Sequence, residues 1–296
     1  MVSYRYSSVL TLVRGRQVHL DHLIAGLKAQ VRQPDELVIA YMQQEAPTVP
    51  GDCPFAIHLE QVDGDPMPLA RARNRAAARA SGDVLAFLDV DCIPDNHFVQ
   101  RSIEAAAHDT MGVFLPEVRY LPAKPEGWLS PLDGEPDFTL LEWAGNRHPA
   151  RPDLGGNDIL SVSDYGELWG LSFILTRKAW EESGGMDESF VGYGAEETDF
   201  ARRLKISGAG MYWLGGTICY HQHHSVHTPP LQHFDSIVRN ARLFHAKWGE
   251  WCMDYWLAEF EKIGLVAKTD DELTVLRNPT LGEIDAAKQG PEVCFS

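Results

Sequence analysis

Val84-Leu85-Ala86-Phe87-Leu88-Asp89-Val90-Asp91-Cys92-Ile93-Pro94 decides the fold: five consecutive apolar residues run into two carboxylates one residue apart. A strand apolar at every position must be covered on both faces, as in a parallel sheet flanked by helices. The residues before it repeat the theme. Leu69 to Ser81 is Ala-rich and favours a helix, with Gly82 placed to stop it. Ser8 to Val13, Glu36 to Tyr41 and Ile57 to Val62 read as further strands. Between the first two of these, Gln17 to Gln30 carries Leu20, Leu23, Ile24 and Leu27 on one helical stripe. Strand alternating with helix predicts an α/β class and a single domain with a mostly parallel central sheet. Ligands of such sheets bind beyond the carboxyl ends of the strands, so chemistry is to be sought at Asp89-Val90-Asp91.

Beyond this stretch the pattern loosens. Pro116 to Gly166 is rich in Pro, Gly, Asp and Trp with little periodicity, which predicts a long surface excursion. A second ordered block spans Leu168 to about His224. Phe234 to Leu265 reads as helical, with Phe234, Ile237, Val238 and Ala241 on a face that packs back onto the domain, and makes a C-terminal helical extension. The polar tail from Ala267 to Ser296 is expected to be loosely held.

Composition bounds the function. The 296 residues, 44% hydrophobic, suffice for one large α/β domain with an appendage. A formal charge of −16 repels phosphate backbones and anionic membranes, so nucleic acid is excluded as the main partner. Neither the first sixteen residues nor the apolar run Leu168 to Leu175 is long enough for a secretory signal or an integral membrane segment. The expected location is cytoplasmic. Five scattered cysteines without a C-x-x-C spacing suggest neither a disulfide framework nor a thiolate zinc site.

Three separated segments carry candidate chemistry. On an extended backbone Asp89 and Asp91 point to the same side, and paired carboxylates raise each other's pKa unless a cation neutralises them. Mg²⁺ or Mn²⁺, which favour oxygen ligands and substrate phosphates, fit such a pair, although a D-x-D alone also simply ends strands. The second segment is Gly192-Tyr193-Gly194-Ala195-Glu196-Glu197-Thr198-Asp199, a Gly-punctuated turn before a helix. Its carboxylates either complement the helix dipole or approach a ligand. The third is Tyr220-His221-Gln222-His223-His224, in which a strand would face His221 and His223 one way and His224 the other.

These residues together resemble the inverting glycosyltransferases of the A-type fold, particularly family 2 and the galactosyltransferase-like group with a G-x-G-x-E-D block. The likeness covers about residues 7 to 228 and implies a Rossmann-like nucleotide-sugar-binding domain. Leu88 to Pro94 is similar to the D-x-D segment, which assigns Asp91 to a metal bridging the donor diphosphate and Asp89 to the donor site. Arg14 and Arg16 resemble a loop against the nucleotide, Asp63 an acidic contact to the nucleoside, and Leu69 to Asn74 the A-R-N helix that carries Arg73. Trp169-Gly170 through Gly184-Gly185-Met186-Asp187 to Glu196-Glu197 resembles the acceptor block. The chain departs from the pattern at Glu197, where the family has Asp as general base: either the backbone accommodates the longer side chain or Glu196 is the base. A late-strand His completes the metal site in the family, and His221 is expected there with His223 beside it, the register among His221, His223 and His224 staying open.

The resemblance thus implies a nucleotide-binding half over residues 1–115, an acceptor-binding half over 116–228, and an extension with tail over 229–296. It implies a metal-dependent transfer from a nucleotide-sugar donor, a UDP-sugar before a GDP-sugar, to the hydroxyl of a carbohydrate or other acceptor. Glu197 takes the hydroxyl proton, and Trp169, Gly170 and Glu196 meet the acceptor. Trp169 and Trp143 are first read as core packing and second as stacking faces for a sugar. The rival readings are a nucleotidyltransferase, disfavoured because Gly15 stands alone where a Gly-rich phosphate loop belongs, and a non-catalytic carbohydrate- or nucleotide-binding module. A histidine zinc hydrolase lacks the H-E-x-x-H spacing.

Overall fold

The computed structural model describes residues 6–294; the outer ends of the expected first and last segments, 1–5 and 295–296, lie outside the described residues. The amino-terminal part runs β1 (Ser7–Val13), α1 (Gln17–Lys28), β2 (Glu36–Tyr41), β3 (Ala56–Gln61), α2 (Leu69–Arg79), β4 (Val84–Leu88), β5 (Cys92–Pro94) and α3 (Phe98–His108). Next come β6 (Val113–Tyr120), α4 (Phe138–Ala144), β7 (Asn146–Arg147), β8 (Ile159–Ser161), β9 (Ser172–Thr176), α5 (Arg177–Ser183), α6 (Glu196–Ile206) and β10 (Met211–His221). The extension holds α7 (Phe234–Trp248), α8 (Asp254–Lys262), the hairpin β11 (Val266–Lys268) and β12 (Leu273–Val275), and α9 (Leu281–Ala287).

The main sheet has the order β3-β2-β1-β4-β9-β6-β10-β5, with β7 added to β6 and β8 to β10. β1, β2, β3 and β4 are parallel; β4 is apolar and buried at every position as a covered strand must be, while β3 at the sheet edge, Ala-Ile-His-Leu-Glu-Gln, stays partly exposed. Strand β9 enters antiparallel between β4 and β6, and β10 runs parallel to β6 but antiparallel to β5. Alternation along each strand feeds two cores. Leu10, Val38, Leu85 and Phe87 pack under the alanines of α2 and against α5 and α6. Val9, Leu37, Val84, Ala86 and Leu88 pack on the leucine stripe of α1 and on α3. The expected boundary at residue 115 falls inside β6, which joins the two halves in one sheet.

Two expectations change. The tail is folded: α9 carries a complete capping box at Thr280 and Glu283, and Gln289 N–H donates to Val226 O at 2.8 Å. Trp143 sits on α4 with 84% of its surface exposed, so it is not core packing. No helix of the described residues is long and apolar enough to cross a membrane.

The topology brings the three sequence segments together. Antiparallel pairing sets Ser172 of β9 opposite Leu88 of β4, and Asp89 N–H donates to Leu171 O at 2.9 Å, which puts Trp169-Gly170 beside the acidic turn. At the other edge His221 pairs with Cys92, and Gln222 N–H donates to Asp91 O at 2.7 Å.

Candidate functional site

Asp89-Val90-Asp91 is a tight turn closed by Cys92 N–H donating to Asp89 O at 2.9 Å, not a continued strand. Arg16 acts on both carboxylates, while the histidines gather at Asp91 and Arg73 acts on Asp89.

Asp91 is 1% exposed, and neither carboxylate oxygen accepts a hydrogen bond from any described group. Arg16 presses its guanidinium against Oδ2 without hydrogen-bond alignment. A buried anion in that condition is costly unless a cation shares it. His221 and His224 supply nitrogens such that one ligand atom from each, together with Asp91, lies within 4.8 Å of the others. His221 Nδ1 is buried without a hydrogen-bond partner among the described residues. Burial, reinforced by the neighbouring His224 and Arg16, holds the His221 pKa well below its usual value. Burial followed by the Arg16 charge brings that of His224 down to about 4. Both rings are thus neutral with lone pairs available, the form in which histidine binds metals.

The structure brings His224, not His223, into this group. β10 ends at His221, so strand alternation does not extend to the next residues. The His223 carbonyl instead faces the His19 ring, 3.3 Å from Nε2. His19, one turn into α1, was missed by the sequence reading; its Nε2 lies 3.9 Å from Asp91 Oδ1. Its spacing of three from Arg16 on a helix that starts at the site was the available signal. Gln222 bonds the buried His22 ring and the His19 carbonyl, tying β10 to α1.

The second group lies on the Asp89 side. Arg73, 8% exposed, reaches from α2 to Glu197 Oε1 at 2.7 Å and Glu196 Oε1 at 3.5 Å. Expected at the donor, its guanidinium is engaged by the carboxylate pair. Glu197 Oε2 also accepts from Gly170 N–H at 2.8 Å. Gly170 has no room for a side chain: a Cβ there would lie 1.7 Å from Glu197 Oε1. Glu196 is 4% exposed, and its pKa is raised to about 7 by burial and by the Glu197 charge, against the pull of Arg73. The Glu197 side chain retains 27% exposure, so it is the accessible member of the pair. Burial also raises the pKa of Asp89, with Arg16 and Arg73 opposing.

The arginine loop makes α1 begin abruptly. Gly15 and Arg16 both take left-handed backbone, at φ 68° and 54°, and Gly15 N–H donates to Gln43 Oε1. A left-handed arginine is unusual and marks a site-shaped turn. Arg14 is paired with Asp65 at 3.4 Å, and Asp63 is exposed two residues earlier. Trp169 is half-buried, with the Arg151 guanidinium 3.3 Å over its ring and His148 edge-on at 5.0 Å, so one face is already covered.

Comparison with known proteins bears on the family and the fold. Residues 67–159 match the glycosyl transferase family 2 model, and residues 156–227 match the model described as the N-terminal domain of galactosyltransferase. The chain is similar to the structure of GalNAc-T7 with UDP, GalNAc and Mn²⁺ (TM-score 0.51, 14% identity, 74% of this chain and 43% of that one). It is also similar to residues 1–349 of S. aureus TarS with UDP (TM-score 0.51, 13% identity, 81% of this chain and 66% of that one). The chain thus spans 43% to 66% of the length of these two structures. No match was found among curated proteins. Two segments of the chain thus match glycosyltransferase family models, and its fold is shared with these glycosyltransferase structures of the A-type fold. The central segment is similar to family 2, and the segment with Trp169-Gly170 and Glu196-Glu197 is similar to the galactosyltransferase model.

Proposed function

We propose that this protein transfers a sugar from a UDP-sugar to an acceptor hydroxyl with inversion, assisted by a divalent metal. The observation that carries the reading is the pairing of two sites across one turn: a buried Asp91 whose oxygens accept no hydrogen bond, ion-paired to Arg16 and beside two neutral histidines, and an oriented, accessible Glu197. Asp91, His221 and His224 would hold the metal. A mixed oxygen and imidazole set suits Mn²⁺ better than Mg²⁺. When bound, the ion supplies positive charge to a departing diphosphate.

The chain's own residues do the rest. Arg16, already against Asp91, offers a guanidinium to the same diphosphate oxygens. Arg14 and Asp63 border the loop end where the nucleoside would lie. Glu197, held by Arg73 and Gly170 N–H, accepts the acceptor's hydroxyl proton as that oxygen attacks the anomeric carbon opposite the leaving group. One displacement inverts the carbon and needs no covalent intermediate. Gly170, bonded to this base, and the neighbouring half-buried Trp169 would receive the acceptor.

The UDP and Mn²⁺ of the similar structures support the donor and the ion. A thermal-shift panel of UDP, GDP, CDP and ADP, each with and without Mn²⁺, tests the donor: stabilisation is expected only from UDP and metal together. Glu197→Gln is expected to keep that shift and to lower transfer by about 10²- to 10⁴-fold, the usual share of a general base. Normal turnover in that variant would move the base to Glu196 or overturn the mechanism. Release of nucleoside diphosphate, not pyrophosphate, separates this reading from a nucleotidyltransferase.

A further inference from the structure

The turn that aims the two glutamates is backbone of an unusual kind. Gly192, Gly194 and Ala195 all have left-handed φ, at 81°, 93° and 72°, immediately before Glu196 starts α6. Of the turn's carbonyls only that of Ala195 joins the α6 ladder, accepting from Asp199 N–H at 2.9 Å, so the carbonyls before it need donors from elsewhere. Those partners come from the C-terminal extension. Asn240 of α7 is fully buried, and its single amide nitrogen lies 3.1, 3.4 and 2.8 Å from the carbonyls of Val191, Tyr193 and Gly194. Arg239, beside it on the exposed side, donates to Val191 O at 3.1 Å and Ser189 O at 2.9 Å.

The packing is equally close. A Cβ on Gly192 would lie 2.2 Å from Ser236 Oγ, and one on Gly194 would lie 2.5 Å from Met253 Sδ. Tyr193 is stacked on His233 at 4.5 Å and tilted on Trp256 at 5.4 Å. Beyond the turn, Asp199 of α6 is buried and accepts from Trp248 Nε1 at 2.9 Å, with Lys247 Nζ at 2.7 Å. A buried amide directed at three carbonyls of one turn is a specific device, since a simple core contact would be met by an apolar residue.

We propose that Asn240 is a positioning residue: by holding the Gly192–Ala195 turn it sets the aim of Glu196 and Glu197, so α7 belongs to the catalytic unit. The proposal rests on the reading of Glu197 as the base. Asn240→Asp keeps the shape and removes both N–H donors; Arg239→Gln, on the exposed side, tests the same turn without entering the core. Two readouts apply. The first is turnover per UDP-binding site, the sites being counted by Mn²⁺–UDP titration so that unfolded protein does not enter. Asn240→Asp is expected to lose about tenfold or more in kcat, and Arg239→Gln about threefold, while KM for donor and UDP affinity stay within about twofold.

The second readout is amide hydrogen exchange. Residues 192–197 should lose protection in both variants while those of β1 and β4 keep it. Unchanged kcat per site, a loss that falls equally on UDP affinity, or unchanged exchange at residues 192–197 would overturn the proposal. If the wild type transfers no sugar, the proposed function has failed, and the exchange measurement still decides whether Asn240 holds the turn.

Discussion

Replacing Gly170 by alanine tests the site at its tightest point. The added Cβ would lie 1.7 Å from Glu197 Oε1 and 2.5 Å from Arg73 Nη2, where contacts under 3.0 Å are essentially never tolerated. Glu197 must therefore retreat by about 1.3 Å, and its partly exposed side chain has room to do so. The retreat breaks the bond from Gly170 N–H and pulls the carboxylate off Arg73. Misplacing a reacting group by about 1 Å costs on the order of 10²-fold in rate, or about 2.7 kcal/mol of barrier. Gly170 is not among the glycines with positive φ, so alanine adds no backbone strain and tightens the unfolded chain by about 0.4–1 kcal/mol. The expected result is a kcat lowered about 100-fold with Mn²⁺–UDP affinity unchanged and Tm within a few degrees of wild type. Steady-state UDP release with titrated sites measures it. Turnover within about threefold of wild type would refute the account of Glu197 as a held base.

Asp91→Ala should abolish Mn²⁺-dependent UDP binding by calorimetry; retained affinity with unchanged EDTA sensitivity would count against the site. His224→Ala should weaken Mn²⁺ binding by at least about tenfold while His223→Ala changes it little, measured by the Mn²⁺ electron paramagnetic signal. Glu196 has a folded pKa raised to about 7, so the native state holds its proton more firmly than the unfolded chain. Its contribution is fully present below the ordinary carboxylate value and is lost as pH rises through about 7. Wild-type Tm should therefore fall across that window relative to Glu196→Gln, and parallel pH profiles of the two proteins would show the shift to be absent.

Local pattern made much of the fold legible. Val84 to Leu88 could be a strand only in a sheet covered twice, and Leu20, Leu23, Ile24 and Leu27 could only face it, as all four are buried. Less legible were the antiparallel entry of β9 and the order of the late strands, since a short apolar run does not state its direction. At the site, Asp91 and Glu197 each had an ordinary alternative, ending a strand or complementing a helix dipole, and stood out through the resemblance carried by the three segments together. His19 and Asn240 did not, being single polar residues on helices whose visible pattern is apolar.

Residue type and spacing alone therefore determined the α/β class, the acidic pair that follows β4 and the pool of candidate ligands, because they follow from side-chain pattern along one element. Tertiary structure decided that Asp89 and Asp91 lie in a turn, that His224 and not His223 sits beside Asp91, and that Arg73 pairs with the glutamates. The reason is one of range: where β10 ends, how a turn opens and which helix covers it depend on contacts between residues far apart in the chain. Asn240 reaches the Gly194 carbonyl across 46 positions, a relation that no local pattern encodes.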